Sequence, residues 1–200
     1  MKYQTRQCRI KNGWAQNAQA GFTLIELIIA LAIGVIVMTQ AIPSFLSTIR
    51  DSHLTTETNK LVADINIARS EAIKRGVNVI VCSSADPNLF DGGDHDPDCG
   101  GANDWDTGWL VFADNDGNGS YSLDDDGDGA LIRIGEGPTS GSTVNFTTAS
   151  TTIPFSPDGL LVDATAKAIT ICDERGDSSK RQVLISATGR PRLDKTAGAC

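Results

Sequence analysis

Three groups of residues in this 200-residue chain have types and spacings that can do chemistry. The first is Gly21-Phe22-Thr23-Leu24-Ile25-Glu26, where the small-residue junction Ala20-Gly21 precedes an apolar block ending near Ile42. Glu26 is the only formal charge in that block, and a carboxylate inside a membrane segment costs a few kcal/mol, so it calls for a cationic partner. The second group is acidic. Asp114, Asp116, Asn118, Gly119, Ser120, Ser122 and Asp125 fall at positions 1, 3, 5, 6, 7, 9 and 12 of an EF-hand-like loop. Calcium takes about six to eight oxygens, and alternating Asp and Asn on a Gly-containing turn can wrap them around one ion. Position 12 is Asp rather than the longer Glu, no helix frames the loop, and Asp124, Asp126 and Asp128 offer a different cage. A solvated hairpin loop, with Asp, Asn and Gly serving turn geometry, is the alternative to Ca2+. The third group is basic. From Arg175 to Lys195 there are six bases (Arg175, Lys180, Arg181, Arg190, Arg192, Lys195) against Asp177 and Asp194. Guanidinium forks meet phosphate oxygens bidentately, and Pro191 fixes the backbone between Arg190 and Arg192. Contacts of that kind are sequence-independent and salt-sensitive. Pairing of the same arginines with the acidic loops, or with a neighbouring subunit, is the competing reading.

Catalysis finds no such grouping. His53 and His95 have no nucleophile at a recognisable spacing, and GxSxG, HExxH and phosphate-binding Gly loops do not occur. The expectation is a protein that is not an enzyme.

The elements that position these groups are legible from periodicity. Residues 1–21 carry Lys2, Arg6, Arg9 and Lys11 and no acid, which favours holding that end in the cytoplasm. The apolar stretch, about 22–42, is long enough to cross a hydrocarbon core of ~30 Å as a helix. A secretory signal has its cleavage site after the apolar region, so a cut at Gly21 would instead leave the helix on the mature chain. A signal-anchor helix that is never cut is the plainer alternative. Pro43 can kink the helix without ending it. Beyond it Leu54, Leu61, Ile65, Ala68 and Ala72 recur at helical spacing, with Asp51, Glu57, Lys60, Asp64, Arg69 and Lys74 elsewhere on the cylinder, until Gly76.

From Val77 the period changes. Val77–Cys82, Gly108–Ala113, Ala130–Ile134, Ser142–Phe146, Lys167–Cys172 and Arg181–Ser186 are short, β-branched and bounded by turn residues, which predicts an antiparallel β domain. The fold class is α+β: a long N-terminal helix, membrane-spanning in its first half, packed on a C-terminal antiparallel β domain. The expected organisation is a leader over 1–21, a helix over 22–75, and a globular domain over 76–200 with acidic loops and a basic C-terminal tail. Trp105, Trp109 and Phe112 are expected to fill the core or shield a disulfide.

The chain holds 17 bases against 25 acids; without the leader's four bases, residues 22–200 carry 13 against 25, a net −12. Thirteen aspartates lie between Asp86 and Asp128, and no Lys or Arg between Arg75 and Arg133. That balance argues against wholesale coating of nucleic acid or adhesion to anionic headgroups, while leaving room for a local basic patch. Cys8 lies in the leader; Cys82, Cys99, Cys172 and Cys200 fall in the exported domain. Four cysteines in an oxidising compartment allow three connectivities, of which Cys82–Cys99 and Cys172–Cys200 each close a local loop. A zinc site is disfavoured, since no CxxC pair is present.

Gly-Phe-Thr-Leu-Ile-Glu resembles the processing site of type IV pilins and of type II secretion pseudopilins. The resemblance implies cleavage after Gly21 by a prepilin peptidase, N-methylation of Phe22, and pairing of Glu26 with the N-terminal amine of a neighbouring subunit. LVADINIARSEAIKRGVNVIVC, Trp105, GWLVFAD, FSPDG, ITICD and SATGRPR together resemble the GspH/FimT group of minor pilins and pseudopilins. That likeness implies a pilin-like fold and a low-abundance subunit at or near the tip of a pilus or pseudopilus. Its partners would be other major and minor pilins or pseudopilins. It implies a single-pass protein of the bacterial inner membrane, its globular domain periplasmic. Gly189-Arg190-Pro191-Arg192 resembles the GRxR motif with which FimT-type pilins bind double-stranded DNA in transformation, with Lys195 and Arg181 as flanking bases. Three roles follow: a pilin priming type IV pilus assembly, a DNA-binding competence pilin, and pseudopilin H of a type II secretion system with no DNA role.

Overall fold

The computed structural model describes residues 21–88, 97–100, 104–121, 130–138, 141–146, 150–195 and 200. The leader up to residue 20, His95, and the loop positions Ser122, Asp124, Asp125, Asp126 and Asp128 lie outside the described residues. The chain divides into two compact units, up to Phe45 and from Leu46 to Cys200.

A single helix, α1 (Leu24–Arg75), runs unbroken through Pro43. Thr23 caps its start: the Thr23 hydroxyl accepts the Glu26 N–H at 3.3 Å, and the Thr23 carbonyl accepts that of Leu27. Thr-x-x-Glu is a capping-box pattern, and an acid in the first turn suits the helix dipole. At the other end Gly76 follows Arg75, and Glu71 pairs with Lys74 at 3.0 Å and Arg75 at 2.7 Å. Those hydrogen bonds, from Arg75 first and then Lys74, hold the Glu71 carboxyl below its ordinary range.

Eight strands follow: β1 (Asn78–Ser83), β2 (Gly108–Asp114), β3 (Leu131–Glu136), β4 (Thr143–Phe146), β5 (Thr152–Phe155), β6 (Lys167–Cys172), β7 (Arg181–Ile185) and β8 (Pro191–Asp194). They form two antiparallel sheets, in the orders β3-β2-β1-β5 and β4-β6-β7-β8. The six strands expected from the sequence are all present, Lys167–Cys172 without change and the others with ends shifted by at most two residues, and β5 and β8 are additional. Both of these contain a proline, Pro154 and Pro191, and both are edge strands, the positions that tolerate a residue without an N–H donor. Proline thus weakens the strand signal of both. The basic C-terminal tail is accordingly a correction: beyond the expected strand at Arg181, Pro191–Asp194 pairs back on β7 as a β-hairpin.

One core cluster gathers the second half of α1 and the inner faces of both sheets. The helical stripe Leu54, Leu61, Ile65, Ala68 and Ala72 is fully buried against Val79, Val81, Val111, Ile153, Phe155, Ile169 and Val183, among others. Burying a Leu, Ile or Val side chain contributes about 1.5–3 kcal/mol, so the five-residue stripe is what attaches this part of α1 to the sheets. Trp105 and Trp109 belong to this cluster, with Trp105 4.9 Å from Phe146 centre to centre. The outer face of the first sheet has its own cluster, in which Ile80, Cys82, Leu110, Phe112 and Tyr121 pack with Cys99. Every residue of β2 is therefore buried, on one face or the other.

Asp64 is the second correction. Helical spacing places it elsewhere on the cylinder from the apolar stripe, yet it is 2% exposed. Its Oδ2 accepts the Trp109 indole N–H at 2.9 Å, and its Oδ1 pairs with Arg133 of β3. Burial pushes its carboxyl above the ordinary range, with the Trp109 hydrogen bond and the Arg133 charge acting in opposition. A buried carboxylate is tolerable where it is bonded in this way.

Candidate functional site

The N-terminal end is built to be approached. No residue from 21 to 53 is buried, and large apolar side chains from Phe22, 84% exposed, to Ile49 face outward all round the helix. Gly21 has open space where a Cβ would stand, and the Gly21–Phe22 bond lies just outside the Thr23 cap. A helix apolar on every side is stable only in lipid or packed among other helices. Leu24–Arg75 is the one described helix with the length and apolarity to span a bilayer.

The C-terminal bases separate into two kinds. Arg175 is engaged: it bonds Asp173 at 2.6 and 2.9 Å and Asp51 at 2.9 Å. Burial works against ionisation of Asp173, but those bonds win and hold its carboxyl below the ordinary range. Lys180 lies 3.4 Å from Asp177, and Arg181 donates to the Ser179 and Lys180 carbonyls. Arg190, Arg192 and Lys195 are exposed, and no ion pair to any of them is present among the described residues. Arg192 stands opposite Leu184, on the face of the β7–β8 hairpin away from buried Val183 and Ile185.

The loop that carries Arg190 has a twin. Ser156–Leu160, after β5, and Ser186–Arg190, between β7 and β8, both read Ser-x-x-Gly and close alike. In each, the glycine N–H donates to the serine carbonyl at 2.8 Å, and the serine N–H donates to the carbonyl of the residue after the glycine. The serine hydroxyl reaches that same carbonyl at 3.3 Å in both. Gly159 and Gly189 both have φ +72°, where a side chain is strained. The turns lie back to back: the Leu161 N–H donates to the Ala187 carbonyl at 3.1 Å, and a Cβ on Gly189 would fall 2.4 Å from the Gly159 oxygen. Arg69 of α1 joins them. Its Nε donates to the Gly159 carbonyl at 2.8 Å and lies 3.2 Å from the Gly189 Cβ position. The sequence places Arg69 only among the charges off the apolar stripe, because its partner is 90 residues away.

The acidic loop is only partly described. Asp114 Oδ1 accepts the Gly119 N–H, Asp116 Oδ1 accepts that of Asn118, and Asn118 Oδ1 accepts that of Ser120. These bonds satisfy turn amides, the role expected of Asp and Asn in such loops. Among the described residues no three His, Cys, Asp or Glu side chains converge as a metal site. His53 is exposed on α1. Two disulfides, Cys82–Cys99 and Cys172–Cys200, span 17 and 28 residues; in the chain-entropy account loops of that size stabilise by about 3 kcal/mol each. The second ties the C-terminus to the end of β6, where the Cys200 N–H also donates to Asp177 at 2.8 Å.

Residues 57–189 match the family model of type II transport protein GspH, and residues 16–39 match that of the prokaryotic N-terminal methylation motif. Two crystal structures of the type IV minor pilin FimU of Pseudomonas aeruginosa strain PAO1 are similar in fold. One, at 22% identity and a TM-score of 0.52, covers 74% of this chain and 93% of that one. The other, at 23% identity and a TM-score of 0.51, covers 74% and 97%. No curated protein matches the chain.

Proposed function

The chain belongs to the GspH family, and from that premise we propose that it is a minor subunit of a type IV pilus or pseudopilus, working in filament assembly or at the tip. The observation that carries this reading is the helix from Leu24 to Ile49, apolar on all sides, exposed, and charged only at Glu26 until Arg50. Before assembly such a helix is stable in the inner membrane, with the globular domain periplasmic; in a filament it packs against its neighbours. A prepilin peptidase cuts after Gly21, which exposes the Phe22 amine for methylation four residues before Glu26. The new ammonium of one subunit then neutralises Glu26 of the next, and each charge makes the other tolerable in an apolar core. The family is a structural one, and no catalytic step is required of any residue here.

The test is co-expression of the full chain with a prepilin peptidase, followed by mass spectrometry. A mature chain beginning at N-methylated Phe22 is expected. A chain that keeps its leader, or is cut elsewhere, overturns the reading.

Arg190, Arg192 and Lys195 favour a second activity, binding of duplex DNA through its phosphates. Elsewhere in the domain Arg175, Lys180 and Arg133 are each matched with an acid, so bases left exposed without one are available to an external anion. With the full chain in nonionic detergent, Arg190→Ala/Arg192→Ala should lose salt-sensitive DNA binding in a gel shift. Equal binding by wild type and variant takes the role away from these arginines, and no binding by either at low salt favours a pseudopilin of a type II secretion system instead.

A further inference from the structure

We propose that the groove beside Arg190 and Arg192 takes an unpaired nucleotide, so that the β7–β8 hairpin binds single-stranded DNA in preference to a blunt duplex. This rests on the nucleic-acid reading above and adds the form of DNA that the site fits. Arg190 and Arg192 line one cavity of about 490 Å³, together with Ala166, Leu184, Pro191 and Ser186. The register sets Arg192 beside Leu184, and Leu184 beside Ala168, on the face turned away from buried Val183 and Ile185.

The rim and the floor of this cavity differ in chemistry. The rim is cationic: among the described residues no acid lines it, and neither arginine has an ion pair. The floor is aliphatic, from half-buried Leu184 and Pro191 and exposed Ala166. The Ser186 hydroxyl is already engaged, with Thr188 at 2.8 Å and with the Arg190 carbonyl and N–H, both at 3.3 Å. A phosphate needs only the rim. A blunt duplex keeps its bases stacked inside and presents phosphates, which would leave the floor in water. An unpaired nucleotide carries phosphate, sugar and base face together, so it meets the guanidiniums and the aliphatic floor at once. Guanidinium planes also stack on base faces, in the place that aromatic rings take in other single-strand sites. A strand already unpaired enters without the cost of pulling a base out of a helix.

Anisotropy of fluorescent DNA of about twelve nucleotides, bound by the full chain in nonionic detergent, tests this. The probes are a mixed-sequence single strand, the same strand in a blunt duplex, and an abasic strand of equal length. Charge alone favours the duplex, whose phosphates are packed more densely and release more counterions per contact. The groove reverses that order: wild type should hold the single strand roughly tenfold more tightly than either other probe. Leu184→Gln should remove that preference, with a thermal midpoint near that of wild type, since Leu184 lies outside both buried clusters. Arg190→Ala/Arg192→Ala should weaken binding of all three probes and flatten its salt dependence. Blunt duplex bound by wild type as tightly as the single strand, or more so, would overturn the role of the groove while leaving the hairpin arginines in place. An abasic strand bound as tightly as the natural one would overturn it too, because no base would then be held. A single-strand preference that survives in Leu184→Gln would do the same, by placing the base contact elsewhere. Failure of wild type to bind any of the probes would remove both readings together.

Discussion

Replacing Asp64 tests how α1 is held to the first sheet. Asp64→Ala removes the acceptor of the buried Trp109 indole N–H, and an orphaned donor of that kind costs about 1–3 kcal/mol. Arg133 is half-exposed, so the lost ion pair adds at most about 1 kcal/mol, and relief of the carboxylate's own desolvation opposes both. The net expectation is a loss of about 2 kcal/mol, or about 4–8 °C in thermal midpoint for a unit of this size. Asp64→Asn keeps an acceptor for Trp109 and should cost under about 1 kcal/mol. The pH dependence has a definite sign. Burial raises the folded-state pKa of Asp64, so folding favours its protonated form. Its contribution to stability is full below the unfolded value near 3.8 and is lost as pH rises through the higher folded value. The stability of wild type relative to Asp64→Asn should therefore increase as pH falls from 7 toward 4. Denaturant unfolding of the full chain in detergent, followed by tryptophan fluorescence, measures both quantities. An Asp64→Ala variant as stable as wild type would refute the hydrogen-bond argument. A gap that shrinks on acidification would mean that Trp109 and Arg133 outweigh burial.

Two further outcomes follow from the turns and the disulfides. Gly189→Ala should destabilise by about 2 kcal/mol or more, since it adds a Cβ 2.4 Å from the Gly159 oxygen to the cost of a positive φ. Gly117→Ala, at φ +79° with nothing within 4 Å, should cost only about 1 kcal/mol, and thermal unfolding of the two variants compares them directly. Removing the Cys172–Cys200 bridge by a double serine substitution should lower the denaturant midpoint by an amount equivalent to about 3 kcal/mol. An unchanged midpoint would show that the C-terminus is held by other contacts.

Elements set by short-range pattern were legible before any coordinates. Leu54, Leu61, Ile65, Ala68 and Ala72 repeat at the helical period, and all five are buried. Six runs of β-branched residues became strands, because alternation and turn residues act within a few positions of each other. The Cys82–Cys99 and Cys172–Cys200 pairs follow the same logic, each closing a loop local in the chain. The Gly21–Glu26 run is likewise a matter of order along the chain and required no fold to be seen.

Tertiary structure alone decided the rest, and the reason in each case is a contact between distant positions. β5 and β8 carry a weak strand signal because of Pro154 and Pro191, and sheet order shows that they occupy edges where a missing donor is harmless. Asp64 stands off the apolar stripe by helical phase; Trp109 and Arg133, from strands 45 and more residues away, make it a buried charge. Ser156–Gly159 and Ser186–Gly189 carry the same four-residue pattern, but only packing sets them back to back. Only packing brings Arg69 to them across 90 residues, since periodicity reports which face a residue lies on and not what that face will meet.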